Sequence, residues 1–380
     1  MILFLVLPLV LCDRSLSQEI CLDGDFDSQV QWFVENVMFS SEDKAQIRRV
    51  LDDVKTTMQR QWPGTEVIPH GSAAMGVGIK TSDVDCYVKI PNFNTSADLY
   101  VLTEATALLQ LQRDMFSDMT CELLPPPADS SLLTFRHRPT GRLCDVIFTN
   151  NSIYQTSALN RYYFNLNEKF KPLVAIIKYW FQVQELNKKT IMRSFHLYLL
   201  IIFYLQQINM VPPVFRLQNK QRHFEGLWDL SFDEIPYNST NTDISLYRLL
   251  TGFFTYYSEF NFDDYIVSPY AGRPIRKIEF LGNTSVSGIF YLYKKNMRES
   301  GFKPLDVERA ICIQDMFVHN VNTAARVSRR PAALLRARLR DAARLSAHGL
   351  LTALFTNPQH KELLNETNLS IPSCNNATDM

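Results

Sequence analysis

Apolar residues recur every three or four positions between 25 and 60, first as Val30, Phe33, Val34, Val37 and Met38, then as Ile47, Val50, Leu51, Val54 and Met58. This spacing puts each set on one face of a helix and predicts two helices ahead of the first strand. Ser40-Ser41-Glu42-Asp43 between them offers an N-cap and early negative charge for the second helix. The period then shortens. Pro63-Gly64 turns the chain into a short strand at 65–69, and Val84-Asp85-Cys86-Tyr87-Val88 reads as a second. After a polar loop at 92–98, helical spacing returns over 99–119 and is closed by Pro125-Pro126-Pro127, which neither helix nor ladder can absorb. Strands at 131–137 and 142–148 flank Pro139-Thr140-Gly141 and read as a hairpin. From Leu159 the pattern is helical and aromatic: 170–181 is apolar almost all round, which suits a central helix, and 192–208 resembles it.

This order predicts an α+β fold, a small mixed sheet with flanking helices followed by a mainly helical second domain. The expected boundaries are an apolar or disordered leader at 1–24 and helices at 25–60 that pack on the second domain. A sheet-bearing catalytic domain at 61–150, the helical domain at 151–350 and a polar tail at 351–380 follow. With 380 residues, 46% of them hydrophobic, two cores can be filled. The charges cancel, 39 Lys and Arg against 39 Asp and Glu, which excludes a polycation that coats nucleic acid indiscriminately. Arginines gather late, at 326, 329, 330, 336, 338, 340 and 344, on a helix that is either a solvated face or a phosphate-tracking surface. Seven cysteines without a CxxC pair suit a reducing compartment. Residues 1–12 are apolar but too short to span a bilayer, so no stable membrane span is expected, and they look like a signal-peptide core. Sequons such as Asn94, Asn150 and Asn238 lean the same way. A cytoplasmic location is the expectation, with secretion as the alternative, because the chemistry below needs a metal and a triphosphate.

That chemistry is concentrated between His70 and Ile90. Asp83 and Asp85 lie two apart at a strand entrance, so they present two carboxylates to one side. Like charges so placed need a cation, and an oxygen-rich site suits Mg²⁺ or Mn²⁺. Upstream, Gly71-Ser72 can bring backbone N–H groups and a hydroxyl to an anion such as phosphate. Asp145 is a single acid within an apolar strand, an unlikely burial without a partner. If its strand lies beside that of Asp85, three carboxylates meet. Lys178, inside the most apolar helix, either snorkels to water or reaches a triphosphate.

Gly71-Ser72, a glycine-containing run and Asp83-Val84-Asp85 together resemble the signature of the DNA polymerase β nucleotidyltransferase superfamily. KPLVAIIKYW at 171–180, Ser194-Phe195-His196-Leu197-Tyr198, the aromatic stretch at 249–257 and Ile311-Cys312-Ile313-Gln314-Asp315-Met316-Phe317 narrow the likeness. Over residues 25–330 the chain is similar to the non-canonical poly(A) polymerase and terminal uridylyltransferase family. The resemblance implies a nucleotidyltransferase sheet and a helical domain of the poly(A) polymerase-associated type. It implies that Gly71 and Ser72 hold a nucleoside triphosphate, and that Asp83, Asp85 and Asp145 bind two divalent ions, Mg²⁺ or Mn²⁺. Lys178 and Ser194 would touch phosphates, and Phe195, where the family usually has tyrosine, would stack on the base. The implied activity is template-independent addition of nucleotides to an RNA 3′ end, with UTP ahead of ATP as donor and any RNA-delivering protein unknown.

The chain departs from the family pattern at several places. Gln155 stands where an asparagine commonly meets the ribose, Gln182 where a second lysine commonly meets phosphates, and Met316 where the family has proline. Gln155 can still hydrogen-bond a hydroxyl, whereas Gln182 cannot replace a charge, which leaves Lys188 or Lys189 to compensate. The uracil-reading histidine of the uridylating branch falls, counted without gaps, on Val321, with His319 two residues earlier as the shifted candidate. The alternatives are an adenylate-adding enzyme, a nucleic-acid sensor resembling oligoadenylate synthetases, and an inactive scaffold. The intact acids argue against the last.

Overall fold

The computed structural model describes residues 24–91, 113, 121–123, 132–148, 151–187, 192–218, 222–237, 243–281, 286–299, 302–349 and 351–355. Residues 1–23 of the predicted leader, the polar loop at 92–98, the helix over 99–119 apart from Arg113, the proline run, Lys188 and Lys189, and the tail beyond 355 lie outside them.

Five strands form the sheet: β1 (Glu66–His70), β2 (Val84–Lys89), β3 (Cys121–Leu123), β4 (Leu132–His137) and β5 (Arg142–Ile147). Their order is β1-β2-β5-β4-β3, with β2 and β5 parallel and the other pairs antiparallel, the mixed sheet expected. The β4–β5 hairpin turns where Pro139-Thr140-Gly141 directs it, and Gly141 takes φ +70°, a conformation open to glycine. Ahead of the sheet lie α1 (Phe26–Asn36) and α2 (Ser41–Gln61). Ser40 and Asp43 cap α2 reciprocally, Asp43 N–H to Ser40 Oγ at 3.1 Å and Ser40 N–H to Asp43 Oδ2 at 2.8 Å. Helix α2 lays Ile47, Val50, Val54 and Met58 on Val84, Cys86, Cys144 and Val146. Polar ties reinforce this packing, Asp53 to His137 at 2.9 Å and Asp43 to Arg142.

The two leading helices therefore part company. Helix α1 packs on the helical half, where Phe33 meets Tyr179 and Phe355, whereas α2 covers the sheet, a correction to the expectation that both pack on the second domain. The physical reason is the direction of their apolar faces, since Phe33 has an aromatic niche to enter and α2 has a β-branched sheet face. The helical half contains α4 (Asn151–Asn165), α5 (Phe170–Val183), α6 (Ser194–Gln207), α7 (Leu246–Glu259), α8 (Tyr291–Glu299), α9 (Arg329–Ser346) and α10 (Leu351–Phe355); the remaining helix of the sheet half, α3 (Gly71–Met75), follows β1 directly. Helix α5 is buried from Leu173 through Phe181, as its all-round apolar sequence requires. Helix α10 moves the expected tail boundary: Leu351 and Leu354 are buried, so 351–355 belongs to the core. Met75, Val77 and Ile79, which precede β2, join this helical core and not the sheet's. No helix among the described residues is long and apolar enough to cross a membrane.

Candidate active site

The parallel pair β2–β5 brings Asp85 directly opposite Asp145. On the outer strands, His70 of β1 pairs with Asp85 and Thr134 of β4 pairs with Asp145. Paired residues share a face, so His70, Asp85, Asp145 and Thr134 form one row across the sheet. Asp83, exposed just before β2, stands two residues from Asp85 and adds a third carboxylate. Cys86 and Cys144 point the other way, into the core under α2. The Thr134 hydroxyl donates to Asp145 Oδ1 at 2.6 Å.

Over this row sits the turn into α3. Gly71 has φ +63°, and a Cβ there would lie 2.0 Å from Asp85 Oδ2 and 2.8 Å from its Cγ. Only glycine lets the backbone pass this close to the carboxylate. The Gly71 N–H donates to Ser157 Oγ at 3.2 Å, so α4 steadies the turn, and Ser72 is buried beside it. Nothing local in the sequence marks Ser157, because 86 residues separate it from its partner. The same bond shows that α4, assigned by sequence to the second domain, serves the sheet as well.

Burial, then the neighbouring Asp145 and Asp83 charges, push the Asp85 carboxyl up to about 8, with Lys178 pulling against them. Lys178 does not snorkel: it is 4% exposed and its Nζ donates to Ser82 Oγ at 2.6 Å. Burial brings its ammonium down to about 8, and Asp85 and Asp83 oppose the fall. The helical half thus inserts one cation beneath the loop that carries the acids. One turn further along α5, Gln182 accepts from Thr81 Oγ1 at 3.0 Å, so this glutamine ties α5 to the same loop. Among the described residues no three His, Cys, Asp or Glu side chains already stand together closely enough to hold an ion. The donor set itself, carboxylate oxygens in mutual repulsion, fits a hard divalent cation.

The other edge of the site is the start of α6. Tyr198 is buried with its hydroxyl against Ser194 and Ser72, which brings the predicted phosphate serines to one place. Phe195, half-buried, packs on the helical core. Next to it, His196 Nδ1 accepts from Arg193 N–H at 2.9 Å, which leaves Nε2 to donate to the Thr323 carbonyl at 2.7 Å. This pairing assigns the neutral Nε2–H tautomer, and burial brings the imidazole down to about 4. The clamp holds the segment after Phe317 beside Phe195.

On that segment Val321 is 41% exposed, whereas His319 is 1% exposed. The His319 ring is enclosed by Tyr270, Trp228 and Phe290, with centroids at 3.9, 5.3 and 5.6 Å. His319 is therefore a core residue, which corrects its candidacy as base reader. Met316 is fully buried, and Asp315 accepts from Phe317 N–H and Val318 N–H at 2.9 and 2.8 Å, which shapes the turn. Gln155 lies half-buried on α4, the helix that carries Ser157. Arg336 takes neither of the two readings left open for the arginine helix: its Nη1 and Nη2 donate to Asp263 at 2.9 and 2.7 Å and Nη2 to the Ala310 carbonyl at 3.0 Å, so it serves the fold.

Comparison with known proteins gives the geometry its context. Residues 26–165 match the family model of the mitochondrial-like poly(A) RNA polymerase central palm domain, and residues 245–320 match that of the Cid1 family poly A polymerase. A speckle targeted PIP5K1A-regulated poly(A) polymerase of Danio rerio is 22% identical over 310 residues, 70% of this chain and 39% of that protein. Terminal uridylyltransferase cid1 of Schizosaccharomyces pombe is 24% identical over 245 residues, 58% of this chain and 56% of that protein. The chain thus spans well under two thirds of the length of these relatives. Among solved structures, mtPAP in complex with CTP superposes with a TM-score of 0.74 at 19% identity, covering 88% of this chain and 73% of that one. A cytoplasmic RNA terminal U-transferase superposes at 0.67 with 22% identity, covering 87% and 98%. The palm match holds β1, β2, β5 and all three acids, the second match holds α7 and the turn from Asp315 to His319, and the two together place the chain in the non-canonical poly(A) polymerase and terminal uridylyltransferase family.

Proposed function

We propose that this protein adds nucleotides to RNA 3′ ends without a template, using a nucleoside triphosphate as donor. The observation that carries the reading is the in-register pairing of Asp85 with Asp145 under the Gly71 turn, with Asp83 at the mouth of β2. Divalent Mg²⁺ or Mn²⁺ ions held by Asp83, Asp85 and Asp145 would favour the ionised 3′-hydroxyl and neutralise the departing pyrophosphate. The chain's own groups supply position. Ser72 and Ser194, drawn together through Tyr198, offer hydroxyls to the triphosphate. Lys178 sets a positive charge under the acid loop, and Phe195 presents an aromatic face to the base. Positioning and charge neutralisation are what phosphoryl transfer asks of a protein.

Base choice rests on shape. With His319 enclosed, the segment beside Phe195 presents Val321, which has no side-chain hydrogen bond to give. Discrimination by an apolar lining is worth about 1–3 kcal/mol. UTP is the first reading; ATP is the second, favoured by the enclosed histidine.

The experiment offers the purified chain a short RNA with each of the four triphosphates, in Mg²⁺ and in Mn²⁺, and follows extension on a denaturing gel. Extension that requires RNA supports the proposal. Product made without RNA would move the chain to the oligoadenylate-synthetase-like alternative, and no product in any combination would leave the scaffold. ATP used far better than UTP would overturn the uridine preference alone.

A further inference from the structure

We propose that Thr134 is a positioning residue for Asp145, the hydroxyl that fixes how the third carboxylate faces a metal ion. The inference rests on the function proposed above. Thr134 lies directly across β4–β5 from Asp145 and donates to Oδ1 at 2.6 Å, a short contact of the kind made to an ionised acceptor. Its sequence neighbours Leu133 and Phe135 point to the opposite face and are buried in the core under α2, so the β4 backbone is held and the threonine cannot drift. A β-branched side chain on a strand has few rotamers, so the hydroxyl is aimed by the backbone itself.

The consequence follows from the carboxylates' mutual repulsion. Asp85 and Asp145 stand opposite each other on neighbouring strands, and two like charges so placed swing apart unless each is held. The Thr134 hydroxyl resists that swing for Asp145 by fixing rotation about its Cβ–Cγ bond through one oxygen. The Gly71 turn, pressed against Asp85 Oδ2, restrains the other partner by contact. The two acids are thus held by different devices, a hydrogen bond on one side and backbone on the other. Groups that orient a metal ligand in this way typically govern metal affinity by 10–100-fold.

The test uses Thr134→Val, which keeps the branched shape and removes the hydroxyl, and Thr134→Ser, which keeps the hydroxyl. Mn²⁺ binding to the full chain with a non-hydrolysable triphosphate, followed by electron paramagnetic resonance, gives a readout independent of turnover. Thr134→Val should weaken Mn²⁺ binding about tenfold and lower kcat by a similar factor, with KM for the triphosphate little changed. Thr134→Ser should recover most of both, and the thermal midpoints should agree. Valine that binds Mn²⁺ like the wild type would overturn the proposal, as would valine and serine variants impaired alike. Failure of the functional reading is distinguishable: wild-type protein that extends no RNA would sink that reading, while the Mn²⁺ comparison would still decide the role of Thr134.

Discussion

Gly71→Ala is the sharpest single perturbation the site allows. The substitution carries two penalties. Alanine at φ +63° sits in the left-handed region, which costs about 1–2 kcal/mol for a residue with a Cβ. Its methyl would also lie 2.0 Å from Asp85 Oδ2, 2.8 Å from Cγ and 3.1 Å from Cβ. Ordinary contact is about 3.5 Å, so the oxygen must retreat by roughly 1.5 Å. Turning the carboxylate brings little relief, because Cγ and Cβ crowd the same methyl. A displacement of about 1 Å at a reacting centre costs on the order of 100-fold in rate, and kcat should fall by at least that factor, about 2.7 kcal/mol of barrier. The protein should remain folded, with its melting point lowered by a few degrees. The assay is single-turnover extension of end-labelled RNA, alongside thermal melts of both proteins. A Gly71→Ala enzyme within about threefold of the wild-type rate would refute the reasoning, since the carboxylate would then have moved without consequence.

Three further predictions follow from the same geometry. Asp83→Ala, Asp85→Ala and Asp145→Ala should each lower extension by several powers of ten with the fold retained by circular dichroism, and near-normal activity in Asp145→Ala would remove that residue from the ligand set. Arg336→Ala should lower the melting point, through loss of its paired contact with Asp263 and the Ala310 carbonyl, while leaving the salt dependence of RNA binding unchanged; a flattened salt slope would return it to the RNA surface. Burial raises the Asp43 carboxyl, but hydrogen bonds from Ser40 and the Arg142 charge outweigh it and hold the group below its ordinary 3.8. A depressed acid contributes stability above its unfolded value and loses it as pH falls through the folded one. Asp43→Ala should therefore cost about 1–2 kcal/mol at pH 7, and melts repeated below pH 3.8 should show the gap closing.

What could be read from the sequence and what could not divide by distance along the chain. The β4–β5 hairpin is local: its turn residues and alternation lie within a few positions of one another, and strand and turn fall where the pattern puts them. The cap of α2 is equally local. The acids were visible as chemistry at Asp83 and Asp85, and Asp145 through the cost of burying a lone carboxylate, but their meeting depends on a parallel pairing that no local signal encodes. His319 misleads because the rings that enclose it, Trp228, Tyr270 and Phe290, come from three distant stretches. The role of Arg336 stays open in the sequence for the same reason, its partner Asp263 being 73 residues away. A charged residue on a helix announces its charge and says nothing about whether that charge is already spoken for. The tie across residue 150 was hidden for a related reason, since α4 continues the helical pattern while its Ser157 accepts from the Gly71 N–H.

The segment between α3 and β2 has a bearing on how the molecule can be divided in the laboratory. Met75, Val77 and Ile79 sit in the helical core, and Ser82 receives the buried Lys178 ammonium. A fragment ended at residue 150 would keep all three carboxylates and leave these apolar anchors in water. It would also lose the lysine beneath the acid loop and the serine that steadies Gly71. Such a fragment should express as an aggregating sheet with no ordered metal site, so the smallest recombinant piece worth making runs from α1 through α10.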